Sequence, residues 1–456
     1  MMTRRGERTF DALALVLLKL VVAACVLRAG FSHVSDDDYA RTVISEQFAR
    51  APRLDPSGTS WLPAPFWLEG GVMLVLGRSL GVARAVAVAL GAASVAAPYV
   101  AMRAAGMRRV AALLATAFAM TTPWNAWLGV ATVPEGWVSG LVAAAMITMP
   151  VAAARPWAAA GLLLGALSRY ETWPVCGVMV VLCAGEACRQ VRREARQGAV
   201  WQAGRDAVPR DRRPVVHRQL ACAAVALAGP AAWMLWNAHA HGSALHFIAR
   251  VTSFRQSIGA AAVPVTDKLL GYPRALVLEM PVAAAFAVAA GLGLLSRPTR
   301  ERWTWPLVAA GTTLGFLIWG DVHDGAPTHH AARALVAIGW VLVAAGVDAV
   351  FALQARPGAS GARGPIGAVV ALATVAGVAA VAGRPTPPGQ TEPEDRAPQI
   401  ARGLSMRARG VRSATLVPCA FEHFALLAAW GAPERATVLP RTGQPPTPRC
   451  PQVSEP

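Results

Sequence analysis

The sequence predicts an all-α polytopic membrane protein of about eleven transmembrane helices, with external interfacial helices and a small α/β C-terminal external domain. Three observations lead there. Hydrophobic residues make up 55% of the 456 residues and charged residues only 15%. The apolar residues fall in blocks of about 17 to 22, the length a helix needs to cross the hydrocarbon core. Arginine gathers in alternate connections between those blocks, as the positive-inside rule expects.

The predicted spans are 10–29, 80–102, 110–127, 138–154, 157–167, 174–188, 220–238, 275–295, 304–319, 334–353 and 366–382. Arg4, Arg5 and Arg8 precede the first, and Val22-Ala23-Ala24-Cys25 within it has the shape of a lipoprotein cleavage box. Apolar residues continue past Cys25 and more spans follow, which favours an uncleaved first helix over a signal peptide. With a cytoplasmic N-terminus, the same side receives Arg103, Arg108, Arg109, Arg155, nine arginines from Arg189 through Arg218, then Arg297, Arg300, Arg302, Arg356 and Arg363. The net charge of +17 is therefore a signature of topology and not of a nucleic-acid partner. The expected location is a bacterial inner (cytoplasmic) membrane. The transmembrane domain takes 1–383, with a first external loop at 31–79 and an Arg-rich cytoplasmic loop at 189–219. A Pro-rich linker, 384–398, leads to a small external domain, 399–456.

In that last domain, 414–417 and 436–439 read as short strands and 420–430 as a helix. So small a unit has a thin core, which calls for packing against the membrane domain or for a covalent tie. Cys419 and Cys450 lie there on the non-cytoplasmic side, where a disulfide is allowed. The other cysteines, Cys25, Cys176, Cys183, Cys188 and Cys222, sit in or beside spans without zinc spacing.

The first external loop opens with Asp36, Asp37 and Asp38. Each carboxylate would cost about 2.5–3.5 kcal/mol at a bilayer centre, so the three belong at the water interface. Ser35 and Asp38 have capping-box spacing, and Ala40, Val43, Ile44 and Phe48 form an apolar stripe. A helix over 39–49 lying along the membrane surface follows, with Trp61, Phe66 and Trp67 after it at headgroup level. One aspartate is enough to cap a helix; three adjacent like charges repel, and that favours a functional site.

This arrangement resembles the GT-C class of membrane glycosyltransferases, among them protein O-mannosyltransferases and lipid A aminoarabinose transferases. The resemblance covers most of 10–353, mainly as order and sidedness. Its local matches are Asp36-Asp37-x-Tyr39, Glu135 in "ATVPEGW", Arg169-Tyr170-Glu171 in "LSRYETW", and "THHAAR", which contains His329, His330 and Arg333.

The resemblance implies transfer of a sugar from a polyprenyl-phosphate donor to a lipid, glycan or protein acceptor on the external face. A neutral hydroxyl acceptor needs a base, and inversion needs only one. Asp36 or Asp37 is the expected base or acceptor-orienting group, with Asp38 in reserve. Glu135 and Glu171 are acceptor or metal candidates. The donor phosphate needs positive charge, which Arg41, Arg169, Lys268, His329, His330 and Arg333 on the external side could supply, with Tyr170 as a further donor-phosphate contact. A divalent metal on the aspartates and Glu135 is the other source, although mannosyltransferase-type relatives work without one. Asp321, His323 and Asp324 near the histidines raise zinc as a further option. Two other classes stand as alternatives: a multi-pass transporter or flippase, with polar groups such as Lys19 and Glu279 at work in mid-membrane, and a non-catalytic envelope-assembly protein.

Overall fold

The computed structural model describes residues 4–201, 213–257, 263–325, 330–354, 395–440 and 450–455. Helix α1 (Arg4–Arg28) turns Phe10, Leu13 and Leu17 outward and buries Val22 and Val26. After it come α2 (Asp37–Arg50) and α3 (Ala64–Leu76) in the first loop, then α4 (Leu80–Ser94) and α5 (Ala96–Ala104). The chain continues through α6 (Arg109–Thr121), a single-turn α7 (Pro123–Leu128), α8 (Glu135–Thr148) and α9 (Arg155–Ala166). Asp11 on α1 pairs with Arg109 at 2.7 Å and accepts the Tyr99 hydroxyl, which binds α1 to α5 and α6.

The break between α6 and α7 has a chemical cause. Pro123 has no N–H, so the Ala119 carbonyl loses its helical donor. Asn125 Nδ2 at 2.9 Å and Thr122 Oγ1 at 2.8 Å replace it. Lys19 Nζ donates to the carbonyls of Asn125 at 2.6 Å and Met120 at 3.3 Å, so the lysine expected in mid-span closes a helix break.

The second half comprises α10 (Trp173–Trp201), α11 (Arg213–His241), α12 (His246–Ser257), α13 (Val265–Leu278), α14 (Pro281–Gly293), α15 (Arg297–Val322) and α16 (Ala331–Gln354). Helix α16 is the axis of the bundle, packed on α6, α8, α14 and α15. Gly346 lets α14 approach it: a Cβ there would stand 2.6 Å from the Phe286 carbonyl oxygen.

Among the described residues, five continuous helical stretches are long and apolar enough to cross a membrane: Gly6–Arg28, Leu80–Ala104, Tyr170–Arg193, Val215–His241 and Ala331–Leu353. The pair α13 and α14, bent by 93°, makes a sixth if it is counted as one span. The chain is thus a multi-pass membrane protein, but the expected count of about eleven is not reached among the described residues. The expectation took every apolar block as a full crossing. Block 110–127 breaks at Pro123, 138–154 ends as helix at Thr148, and 157–167 makes the short α9. The last expected span, 366–382, lies outside the described residues.

The C-terminal unit holds α17 (Ala397–Ala408), β1 (Ala414–Val417), α18 (His423–Trp430), β2 (Ala436–Val438) and β3 (Gln452–Ser454). Its sheet runs β2-β1-β3, with β1 parallel to β2 and antiparallel to β3. The predicted strands are present, while α17 and β3 were not anticipated. The helix expected from Ala420 starts at His423, because Glu422 accepts the amides of Cys419 and Ala420, each at 2.7 Å, and shapes a turn there. Cys419 and Cys450 are joined by a disulfide.

The thin core of this unit is completed by the first loop. Tyr39 and Val43 of α2 pack with Met406, Leu416, Leu426 and Trp430. Glu434 binds Arg50 at 2.6 Å and Arg78 at 2.8 Å. Gly431, with φ at 73°, fits against the Arg78 carbonyl, which a Cβ would meet at 2.9 Å. Helix α2 is therefore covered on both sides and does not lie open along a membrane surface; Phe66, expected at headgroup level, is also buried.

Candidate functional site

The three aspartates open α2 and diverge, since successive residues of a helical turn point about 100° apart. Asp38 turns inward and is fully buried. Its Oδ2 accepts the amides of Val34 at 3.1 Å and Ser35 at 3.3 Å, and its Oδ1 that of Thr132 at 2.9 Å. The carboxylate half of the expected capping box thus forms, while Ser35 Oγ faces Arg333 Nη1 at 3.3 Å. Asp36 meets Arg396 just before α17, with contacts of 2.9 and 2.8 Å. Asp37, 30% exposed at its side chain, lies 3.4 Å from Arg333 Nη1.

Arg333, in the first turn of α16, reaches two loops. Its Nη2 is 2.7 Å from Glu135 Oε1, and the same oxygen is 3.1 Å from Arg169 Nη1. Arg169 also pairs with Glu171 across the 3-10 turn Tyr170–Thr172. Burial opposes ionisation of Glu135, yet Arg169, Arg333 and Arg41 outweigh it and hold the carboxyl down at about 2. Burial likewise opposes charge on Arg169, but Glu135 and Glu171 beside it prevail and its pKa rises. Glu135 Oε2 is buried with no hydrogen-bond partner.

Arg41, one turn along α2, lies over Trp61 at 4.5 Å and Phe66 at 5.7 Å from the ring centroids. Its Nε and Nη1 are buried without a hydrogen-bond acceptor. Burial draws this guanidinium down to about 10, although Glu135 and Asp37 favour its charge. Three guanidiniums thus surround one buried carboxylate, and one of them has donors to spare.

A narrow cleft, about 30 Å³ in volume, leads away from this cluster between α8, α15 and α16. Glu135, Arg169, Glu171 and Arg333 form its charged head. Val138, Val142 and Met146 continue it down one face of α8, opposite Ala334 and Ala337. At 1.5 Å per residue, that face descends about 16 Å from Glu135 to Met146.

The chain superposes on the apo oligosaccharyltransferase of Archaeoglobus fulgidus with a TM-score of 0.53 at 14% identity, covering 95% of this chain and 65% of that one. The chain shares the fold of that oligosaccharyltransferase. A structure of the archaeal oligosaccharyltransferase AglB from the same organism, in complex with an inhibitory peptide and a dolichol-phosphate, matches at TM-score 0.49 and 14% identity, over 88% of this chain and 58% of that one. The chain therefore spans less than two thirds of the length of either neighbour. No protein-family profile and no curated protein matches the sequence.

Other predicted site residues stand elsewhere in the fold. Lys268 pairs with Asp324 at 2.6 Å, and Arg255 with Asp321 at 2.5 Å. His323 Nδ1 is 2.8 Å from the Trp319 carbonyl, so these three residues do not share a metal. Tyr170 donates to the Ser60 carbonyl at 2.7 Å, accepts Trp233 Nε1 at 2.9 Å and stacks on Phe247 at 4.8 Å, fastening the first loop to α11 and α12. The His330 carbonyl accepts the Arg333 amide at 3.2 Å, and His329 lies outside the described residues. Asp36, Asp37, Asp38 and Glu135 point to different partners and do not converge on a point that a divalent ion could occupy. Among the described residues, the grouping with ligand atoms close together is Cys419, Glu422 and Cys450, whose sulfurs are bonded to each other.

Thr132 and Arg396 went unnoticed in the sequence. Thr132 stands in the quoted "ATVPEGW" motif and could have been found as a polar neighbour of Glu135. Arg396 lies 360 positions from its partner, in a linker segment, and no local pattern marks it.

Proposed function

We propose that this protein transfers a sugar from a polyprenyl-phosphate donor to an acceptor at the external membrane face, with inversion and with Asp37 as the base. The observation that carries this reading is the cleft: guanidiniums at its head, an apolar face of α8 below, and an accessible carboxylate across Arg333. An anionic head on a hydrocarbon chain fits that order of arginine-bearing and apolar lining. Arg333, Arg169 and the unpaired donors of Arg41 would hold the phosphate and favour its departure as charge develops on the bridging oxygen. Asp37 is the most exposed of the three aspartates, 30% at its side chain against 22% for Asp36, and would take the acceptor proton as the C–O bond forms. Asp38 has its oxygens occupied by amides, and Asp36 is held by Arg396.

A transporter reading gains nothing from Lys19, whose ammonium is bound to two main-chain carbonyls.

The test is purified protein with undecaprenyl-phosphate-linked hexose, compared with a nucleotide sugar. Asp37→Asn should lower turnover by about 100-fold or more while insertion is unchanged. Wild-type turnover in that variant would remove Asp37 as base, and activity with the nucleotide sugar alone would overturn the donor class.

A further inference from the structure

Of the groups that touch the three aspartates, Arg396 comes from the far end of the chain. Its Nε and Nη2 meet the two oxygens of Asp36 at 2.9 and 2.8 Å, a parallel fork that fixes the carboxylate in orientation as well as charge. The Arg396 side chain is only 6% exposed and that of Asp36 is 22% exposed, so solvent screens the pair weakly. The C-terminal domain holds the first loop through two charged seams. The Glu434 seam, with Arg50 and Arg78, lies away from the acids; the Arg396 seam ends on one of them.

Asp36 and Asp37 are adjacent carboxylates. Left unpaired, Asp36 would raise the pH at which Asp37 gains a proton and would compete for Arg333. The charged groups facing Asp37 are Arg333 on α16, Arg169 before α10, and Arg41 and Asp38 on its own helix, with Glu135 behind Arg333. Around Asp36 stand His33, Tyr39 and, from α4, Arg84.

We propose that Arg396 is a positioning residue of the transfer site: by holding and neutralising Asp36 it leaves Arg333 to Asp37 and lowers the pH at which Asp37 gains a proton, so the site is complete only with the C-terminal domain docked. The proposal rests on the assignment of Asp37 made above, and its test does not require turnover.

In full-length protein, the pH midpoint at which a water-soluble carbodiimide labels Asp37, followed by mass spectrometry, reports that carboxyl directly. Arg396→Gln should raise the midpoint by about one pH unit, a tenfold change in protonation. Arg396→Lys should stay near wild type, and the double variant Asp36→Asn/Arg396→Gln should return to it, because both charges are then gone. Glu434→Gln, which loosens the other seam, should leave the midpoint unchanged. An unshifted midpoint in Arg396→Gln overturns the proposal. An equal shift in Glu434→Gln overturns it too, since undocking would then be the cause. Turnover of undecaprenyl-phosphate-linked hexose is measured on the same variants. A wild type without turnover, with the Arg396→Gln shift present, supports the role of Arg396 and counts against the transfer reading instead.

Discussion

Glu135 and its guanidiniums form the electrostatic centre of the molecule. A carboxylate 4% exposed is costly in isolation, and Arg169 and Arg333 offset that cost by sharing one of its oxygens. The folded carboxyl titrates at about 2 against an ordinary 4.5, so folding releases a proton from this group. The resulting stabilisation, about 3 kcal/mol for such a shift, is present above pH ~4.5 and is lost as the pH falls toward 2. Glu135→Gln should therefore lower the melting temperature at neutral pH, with the wild-type and variant curves converging as the pH falls to about 2. Parallel curves would mean that the arginines are balanced by other acids.

Helix α2 links the site to the rest of the fold. Its N-terminal turn deals the three aspartates to Arg396, Arg333 and Thr132, and its middle carries Tyr39 and Val43 into the C-terminal core. It also buries Glu46, whose two carboxylate oxygens have no hydrogen-bond partner. Burial pushes this carboxyl well above its ordinary range. The folded state then keeps a proton that the unfolded chain gives up, so stability declines as pH rises from the unfolded value toward the folded one. Glu46→Gln should flatten that decline, with thermal melts between pH 5 and 8 as the measurement. A variant curve as steep as wild type would assign the slope to another group.

At the scale of the whole molecule, the small C-terminal domain depends on the rest of the chain and on one covalent tie. The Cys419–Cys450 bond spans a sequence separation of 31 residues and secures β3 beside β1. Chain entropy over such a loop corresponds to about 3–4 kcal/mol. Reduction, or Cys419→Ser with Cys450→Ser, should expose the tail to protease near β3 while the helical bundle stays intact. The same bond suits an oxidising compartment, as does the proposed orientation. A reporter fused just after Tyr39 should be external; a cytosolic signal would invert the orientation and leave the transfer reaction without its face of the membrane.

Membrane character and the short strand at 414–417 were legible because each rests on local chemistry, whereas Glu135, Arg169 and Arg333 were singled out by the resemblance, and the structure brings them together. A run of apolar residues, a period of two, or a carboxylate beside a greasy segment carries its own physical consequence wherever the chain later goes. Crossing number was less legible, since a block of apolar residues is the same whether it spans a bilayer or breaks at Pro123 into two short helices. The separate fates of Asp36, Asp37 and Asp38 were not legible at all. Their partners come from α16, from the loop before α8 and from a residue 360 positions away, so only the folded arrangement decides which carboxylate is buried and which is most exposed. Electrostatic energy depends on distance in space, and the order of residues along a chain does not contain that distance.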